Sequence, residues 1–156
     1  MKPNVEKLLL ENRQALSQAA ATVRAINTRR NQQIADALWD GVLPTAVASA
    51  TGTSLTAVRT IGLSYDDMLP QGAHKDAHVA TLLSTATELQ NAEADKARLE
   101  HQRYELIVTA QRLGTYDDYQ IAALTGISAP EIKRMVRGTK TSQRKAGSSP
   151  TRTRST

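Results

Sequence analysis

The hydrophobic and polar positions of this chain fall into two long stretches, each followed by a short one. Residues 4–40, between Pro3 and Gly41, are 37 residues with neither glycine nor proline, and residues 73–113, between Gly72 and Gly114, are 41. Both stretches are rich in Ala, Leu, Gln, Glu and Arg, which are good helix formers, so each is predicted to form one long helix or two stacked ones. In the second stretch Ala92, Leu99, Leu106 and Leu113 recur every seven residues. Leu82 and Leu89 lie on the interleaved row, which Lys96 and Arg103 interrupt. In the first, Leu9, Leu16 and Val23 keep the same spacing with Asn12 and Ala19 between them, and Asn27-Thr28 is a candidate break before Arg29. Such rows pack one face of a helix along a neighbour. They predict an elongated particle in which the long helices pair, within the chain or across a homodimer. A small intramolecular bundle is the alternative.

The short stretches repeat one another. Sliding VASATGTSLTAVRTI (Val47 to Ile61) by 74 positions lays it on IAALTGISAPEIKRM (Ile121 to Met135). Val47 then meets Ile121, Ala48 meets Ala122, Thr51-Gly52 meets Thr125-Gly126 and Ser54 meets Ser128. Val58 meets Ile132, Arg59 meets Lys133 and Ile61 meets Met135. Matches at these positions indicate a duplicated unit of long helix plus small module. The sequence divides accordingly into 1–70 with a first module at 44–62, 71–138 with a second at 117–138, and a tail at 139–156.

Each shared position has a physical reason. Ala48 and Ala122 are small where a second helix must cross close over the first. Gly52 and Gly126 stand where the chain leaves a helix through a left-handed conformation that glycine enters cheaply. Ser54 and Ser128 are placed to cap the following helix, and Glu131 completes a capping box in S-A-P-E. Pro130 falls in the first turn, where its missing N–H is harmless. Val47, Val58 and Ile61, like Ile121, Ile132 and Met135, are predicted to point inward. This pattern, about 20 residues long and present twice, resembles the helix-turn-helix of DNA-binding proteins.

The resemblance implies that the second helix of a module enters the major groove of double-stranded DNA while the first crosses the backbone. In the second copy the outward set is Ser128, Ala129, Pro130, Lys133, Arg134 and Arg137. In the first it is Ser54, Leu55, Thr56, Arg59 and Thr60, with one charge, and Gly62 is expected to end that helix early. Ser54, Thr56, Arg59 and Thr60 are therefore secondary candidates, for weak phosphate binding or a partner surface.

Charge distribution sharpens this contrast. The net charge is +5, yet residues 1–70 carry seven Lys/Arg against six Asp/Glu and residues 71–138 carry eight against nine. Residues 139–156 carry five bases and no acid: Lys140, Arg144, Lys145, Arg152 and Arg154. Rich in Ser, Thr and Gly, this tail is expected to be disordered and drawn to phosphates, adding backbone affinity beside the better copy.

Other chemistry is weak. With no cysteine, disulfides and thiol catalysis are unavailable, and no apolar run approaches membrane-spanning length. The opening MKPNVEKLLLENR has only three leucines before charge returns, unlike a secretory signal. His74 and His78 stand at i, i+4, but no third metal ligand is evident. The aspartates of TYDDYQ read as helix caps rather than catalysts. No enzyme, cofactor or metal is expected. Aromatics at 3% and the absence of Phe leave Leu, Ile, Val, Met and Ala as core material, which favours an all-α fold. The composition suits a cytoplasmic protein of a GC-rich bacterium or phage. The expected role is transcriptional regulation, with repression as one form. The rivals are a viral small-terminase-like or plasmid-partition adaptor, or a helical protein-interaction module.

Overall fold

A computed structural model describes residues 4–66 and 68–146, and the side chains of these up to residue 138. The described chain is all-α. Helix α1 spans Val5–Trp39, α2 Pro44–Thr51, α3 Leu55–Leu63, α4 Lys75–Leu113, α5 Asp118–Thr125 and α6 Ala129–Ala146. Each long predicted stretch is one helix. Asn27-Thr28 does not break α1, and the Thr28 hydroxyl bonds back to the Arg24 carbonyl at 3.0 Å within the helix.

Two compact units are present, and they do not follow the order of the sequence. One comprises residues 1–16 with 99–156; the other is the continuous segment 17–98. The sequence boundary near residue 70 therefore separates the two repeats but not the two packed bodies. Each unit takes part of α1, part of α4 and one short module.

In the continuous unit, α1 and α4 run antiparallel. Arg29 reaches Glu88, Thr85 donates to Gln33 at 2.7 Å and Asp40 meets His78. The exposed Arg29–Glu88 hydrogen bond lowers the carboxyl pKa of Glu88 and raises that of the guanidinium. The core joins Ile34, Ala37 and Leu82 of the long helices to Val42, Val47, Ala50 and Val58 of the module.

In the other unit the same helices are again antiparallel, since the amide of Asn12 donates to the Leu99 carbonyl at 3.0 Å while Val5 and Leu9 pack with Ile107 and Ala110. Ile121 and Ile132 of the second module are fully buried against them. Fully burying one such side chain contributes about 1.5–3 kcal/mol, so these few residues dominate the packing of each module. Within each unit the long helices pair inside the chain.

The sevenfold rows hold with one exception. Leu82 and Leu89 are buried, and Ala92, Leu99 and Leu106 are half-buried. Leu113, the last residue of α4, is exposed because the helix ends there and the chain turns away at Gly114, whose φ is +66°.

Candidate nucleic-acid interface

Both modules are built by the same local devices. Gly52 and Gly126 leave α2 and α5 with φ of +67° and +76°, donating back to the carbonyls of Ala48 and Ala122. The preceding threonines, Thr51 and Thr125, bond their hydroxyls to the carbonyls of Val47 and Ile121, each at 2.8 Å. Ser54 caps α3 by accepting from the Ala57 N–H at 3.1 Å. Asp117 caps α5 and forms a reciprocal box with Gln120. Val47, Val58, Ile121 and Ile132 are fully buried, and Ile61 and Met135 half-buried, as the inward pattern predicted.

The outward faces differ. Ser128, Pro130, Lys133, Arg134 and Arg137 are exposed on or just before α6, and Ala129 is half-buried. Arg134 lies 3.9 Å from Glu131, a loose surface pair. At 100° per residue Pro130, Lys133, Arg134 and Arg137 share one face, opposite the buried Ile132. The backbone stays helical through Ala146, where a disordered tail from residue 139 was expected. Gly138 sits inside the helix without a positive φ, and the following Lys, Gln and Arg residues favour continuation. The side chains of Lys140, Arg144 and Lys145, and all of Arg152 and Arg154, lie outside the described residues.

On the first module Ser54, Thr56, Arg59 and Thr60 are exposed, but Leu55 is half-buried. Gly62 does not terminate α3, which runs to Leu63 and is capped by Ser64. It serves a close approach instead: a Cβ there would stand 2.7 Å from Leu38 Cδ1 of α1. The hydroxyl of Thr60 donates to the Thr56 carbonyl at 2.9 Å, leaving Arg59 as the one charge on that face.

Two supports were not foreseen from sequence. Arg13 of α1 donates to the Ala123 carbonyl at 3.0 Å and lies against Gly126. It thus places a cation on the carbonyl end of α5 and braces the turn before α6. In the unit that holds the first module, Asp40 follows α1 directly, and its side chain is 2% exposed. It accepts N–H bonds from Gln71, Gly72 and Ala73 at 2.7, 3.0 and 3.2 Å, and meets His78 Nε2 at 2.6 Å. The His78 bond is the main cause that lowers the Asp40 pKa. Burial opposes it and the three backbone bonds assist. His78 is thereby used in a clamp, while His74 sits exposed beside Asp76. Among the described residues, no group of three His, Cys, Asp or Glu side chains is arranged to hold a metal ion. Nor is any helix among them long and apolar enough to cross a membrane.

A groove lies beside each module at equivalent positions. In the second, an open groove of about 380 Å³ is lined by Gln111, Tyr116, Asp118, Lys133, Val136 and Arg137. Moving back 74 positions from the last five gives Val42, Pro44, Arg59, Gly62 and Leu63. These line a groove of about 580 Å³ in the first module, together with Leu38 and Trp39. The location is duplicated and the chemistry has diverged. The second groove presents two cations and a carboxylate, the first an apolar wall with one cation.

Comparison of the chain with known protein families, characterised proteins and solved structures returned no match.

Proposed function

We propose that this chain binds double-stranded DNA through its second module and acts as a regulator of transcription. The observation that carries the proposal is the exposed basic face of α6, on the second helix of a glycine-turned helical pair. A single α-helix fits the major groove, about 12 Å wide, and Arg or Lys on its outward face reaches base edges or phosphates. In this reading Lys133 and Arg134 contact bases and nearby phosphates, with Ser128, Ala129 and Pro130 closest to the groove floor. Arg137, Lys140, Arg144 and Lys145 add salt-sensitive backbone affinity. The first module, with Arg59 as its one outward charge, contributes little through Ser54, Thr56 and Thr60. No step calls for a cofactor.

Fluorescence anisotropy with a labelled mixed-sequence duplex tests the proposal across salt concentrations. The whole chain is compared with Lys133→Ala/Arg134→Ala. If both side chains neutralise phosphates, the slope of log K against log salt flattens by about 2 in the double variant. Unchanged mobility of every duplex at low salt would instead leave α6 as a protein-contacting surface.

A second reading, a DNA-binding adaptor for packaging or partition, draws on the long helices. Leu10 of α1 and Leu83 of α4 are each about half exposed within their own units, and such residues suit oligomerisation. Sedimentation separates the readings: a dimer fits a regulator with two half-sites, and a closed ring of many subunits fits an assembly adaptor.

A further inference from the structure

The groove beside the first module differs from its counterpart in a way that specifies an occupant. In the second groove, Lys133 shares the lining with a carboxylate of the chain, Asp118, and with the amide of Gln111, which donates to Asp118 at 2.9 Å. In the first groove Pro44 stands at the Asp118 position, Leu63 at the Arg137 position and Val42 at the Tyr116 position. Only the cation is kept, as Arg59. The described lining of its groove holds no carboxylate, and among the described residues nothing forms an ion pair or hydrogen bond with it. The walls are set in place beforehand. Trp39 donates its indole N–H to the Tyr65 carbonyl at 3.2 Å, and Gly62 brings α3 close to Leu38. Gly62 also stands where the second groove has Val136, which leaves the first one roomier.

We infer that this groove is a binding site for a small apolar carboxylate, an aliphatic or aryl acid. Its carboxylate pairs with Arg59, and its apolar body lies between Trp39 and Leu63 over Gly62. A volume of about 580 Å³ lies in the range of small-ligand sites, which combine mostly apolar walls with a few polar groups that fix orientation. The planar guanidinium matches a carboxylate through two parallel hydrogen bonds. A phosphate dianion would need further donors, and the described lining holds no second cation. The ligand thus supplies the charge that Asp118 supplies in the other copy. The inference concerns the first module alone and does not rest on the DNA-binding proposal.

Trp39 is the only tryptophan of the chain, is 41% exposed and lines the groove, so its emission reports occupancy in the full-length protein. Octanoate and octanol, alike except for the charge, are titrated at neutral pH. Octanoate is expected to change Trp39 emission saturably, with a dissociation constant on the order of 1 mM for a ligand of this size. Octanol is expected to bind more weakly. Arg59→Gln should weaken octanoate about fivefold and leave octanol unaltered, as for a partly screened charge pair. Leu63→Ser changes a residue 79% exposed, so the fold is preserved, and it should weaken both ligands. Three results overturn the inference: emission that does not saturate well beyond that range, Arg59→Gln binding octanoate as tightly as the parent, or ligand-free emission that changes with protein concentration. The last would assign the groove to a second copy of the chain. Loss or retention of DNA binding has no bearing on these readings.

Discussion

The two modules share a backbone plan and differ in what they present. Both use a left-handed glycine, a threonine bonded back into the first helix, and a fully buried pair, Val47 with Val58 or Ile121 with Ile132. Outside that frame the second copy exposes Lys133, Arg134 and Arg137, where the first exposes Arg59 and an apolar groove edged by Leu63. Positions that meet the core are constrained by packing, and any chemistry that keeps the frame can occupy the others. One backbone frame therefore carries two different surfaces.

The largest effect is expected where the copies are alike. Ile132→Ala should cost about 3–4 kcal/mol, the transfer and cavity cost of truncating a fully buried isoleucine. Val58→Ala should cost somewhat less. Urea unfolding measures both, and a negligible cost for either would break the claim of a common frame. Next is the difference between faces. Lys133→Ala/Arg134→Ala should lose about 2–3 kcal/mol of DNA affinity, roughly 30- to 150-fold, while Arg59→Ala/Thr60→Ala leaves it nearly unchanged. Equal losses in the two pairs would erase the assignment of DNA binding to the second copy.

A smaller effect is expected at the turns. Gly52→Ala and Gly126→Ala each force a side chain into the left-handed region, at about 1–2 kcal/mol. The two should cost about the same, because a Cβ at Gly126 would meet Arg13 Nε at 3.4 Å, an ordinary contact distance, and at Gly52 nothing lies within 4 Å. Thermal melts of the two variants decide this.

The clamp at Asp40 belongs to the first module's unit only. The folded carboxyl has a pKa below its unfolded value of about 3.9, so its contribution is complete above that value and is lost as the pH falls through the lowered one. Asp40→Asn should lower the melting temperature at neutral pH and flatten its fall in acid. The smallest effect is expected from Arg29→Ala, which removes an exposed pair with Glu88 and should leave DNA binding and the urea midpoint close to those of the parent.

What could be read from sequence was local. The long helices, the glycine turns, the Ser54 and Asp117 caps and the inward Val and Ile positions all follow from spacing within a few turns of chain. What escaped was long-range or depended on packing. Arg13 meets α5 across 110 positions and Asp40 meets His78 across 38, with no local signal to mark either. Gly62 resembled a helix stop and instead admits Leu38, which only the neighbouring helix reveals. Gly138 similarly resembled the end of α6, yet helix formers on both sides carry the backbone past it. The equivalence of the two grooves was latent in the 74-residue shift but became visible only once their linings were known.

The division of the chain into 1–16 with 99–156 and a continuous 17–98 also has a consequence for biosynthesis. A ribosome completes every part of the continuous unit before it has made the second module, so that unit can close on the nascent chain. The first sixteen residues must wait for their partners. At about 5–20 residues per second, the roughly 90 residues from Leu16 to Ile107 represent several seconds to almost twenty of delay. During that interval Val5 and Leu9 lack the surface that later buries them. The proposed DNA-reading half of the protein is therefore the last to mature, and its N-terminal segment is the part a chaperone would meet first.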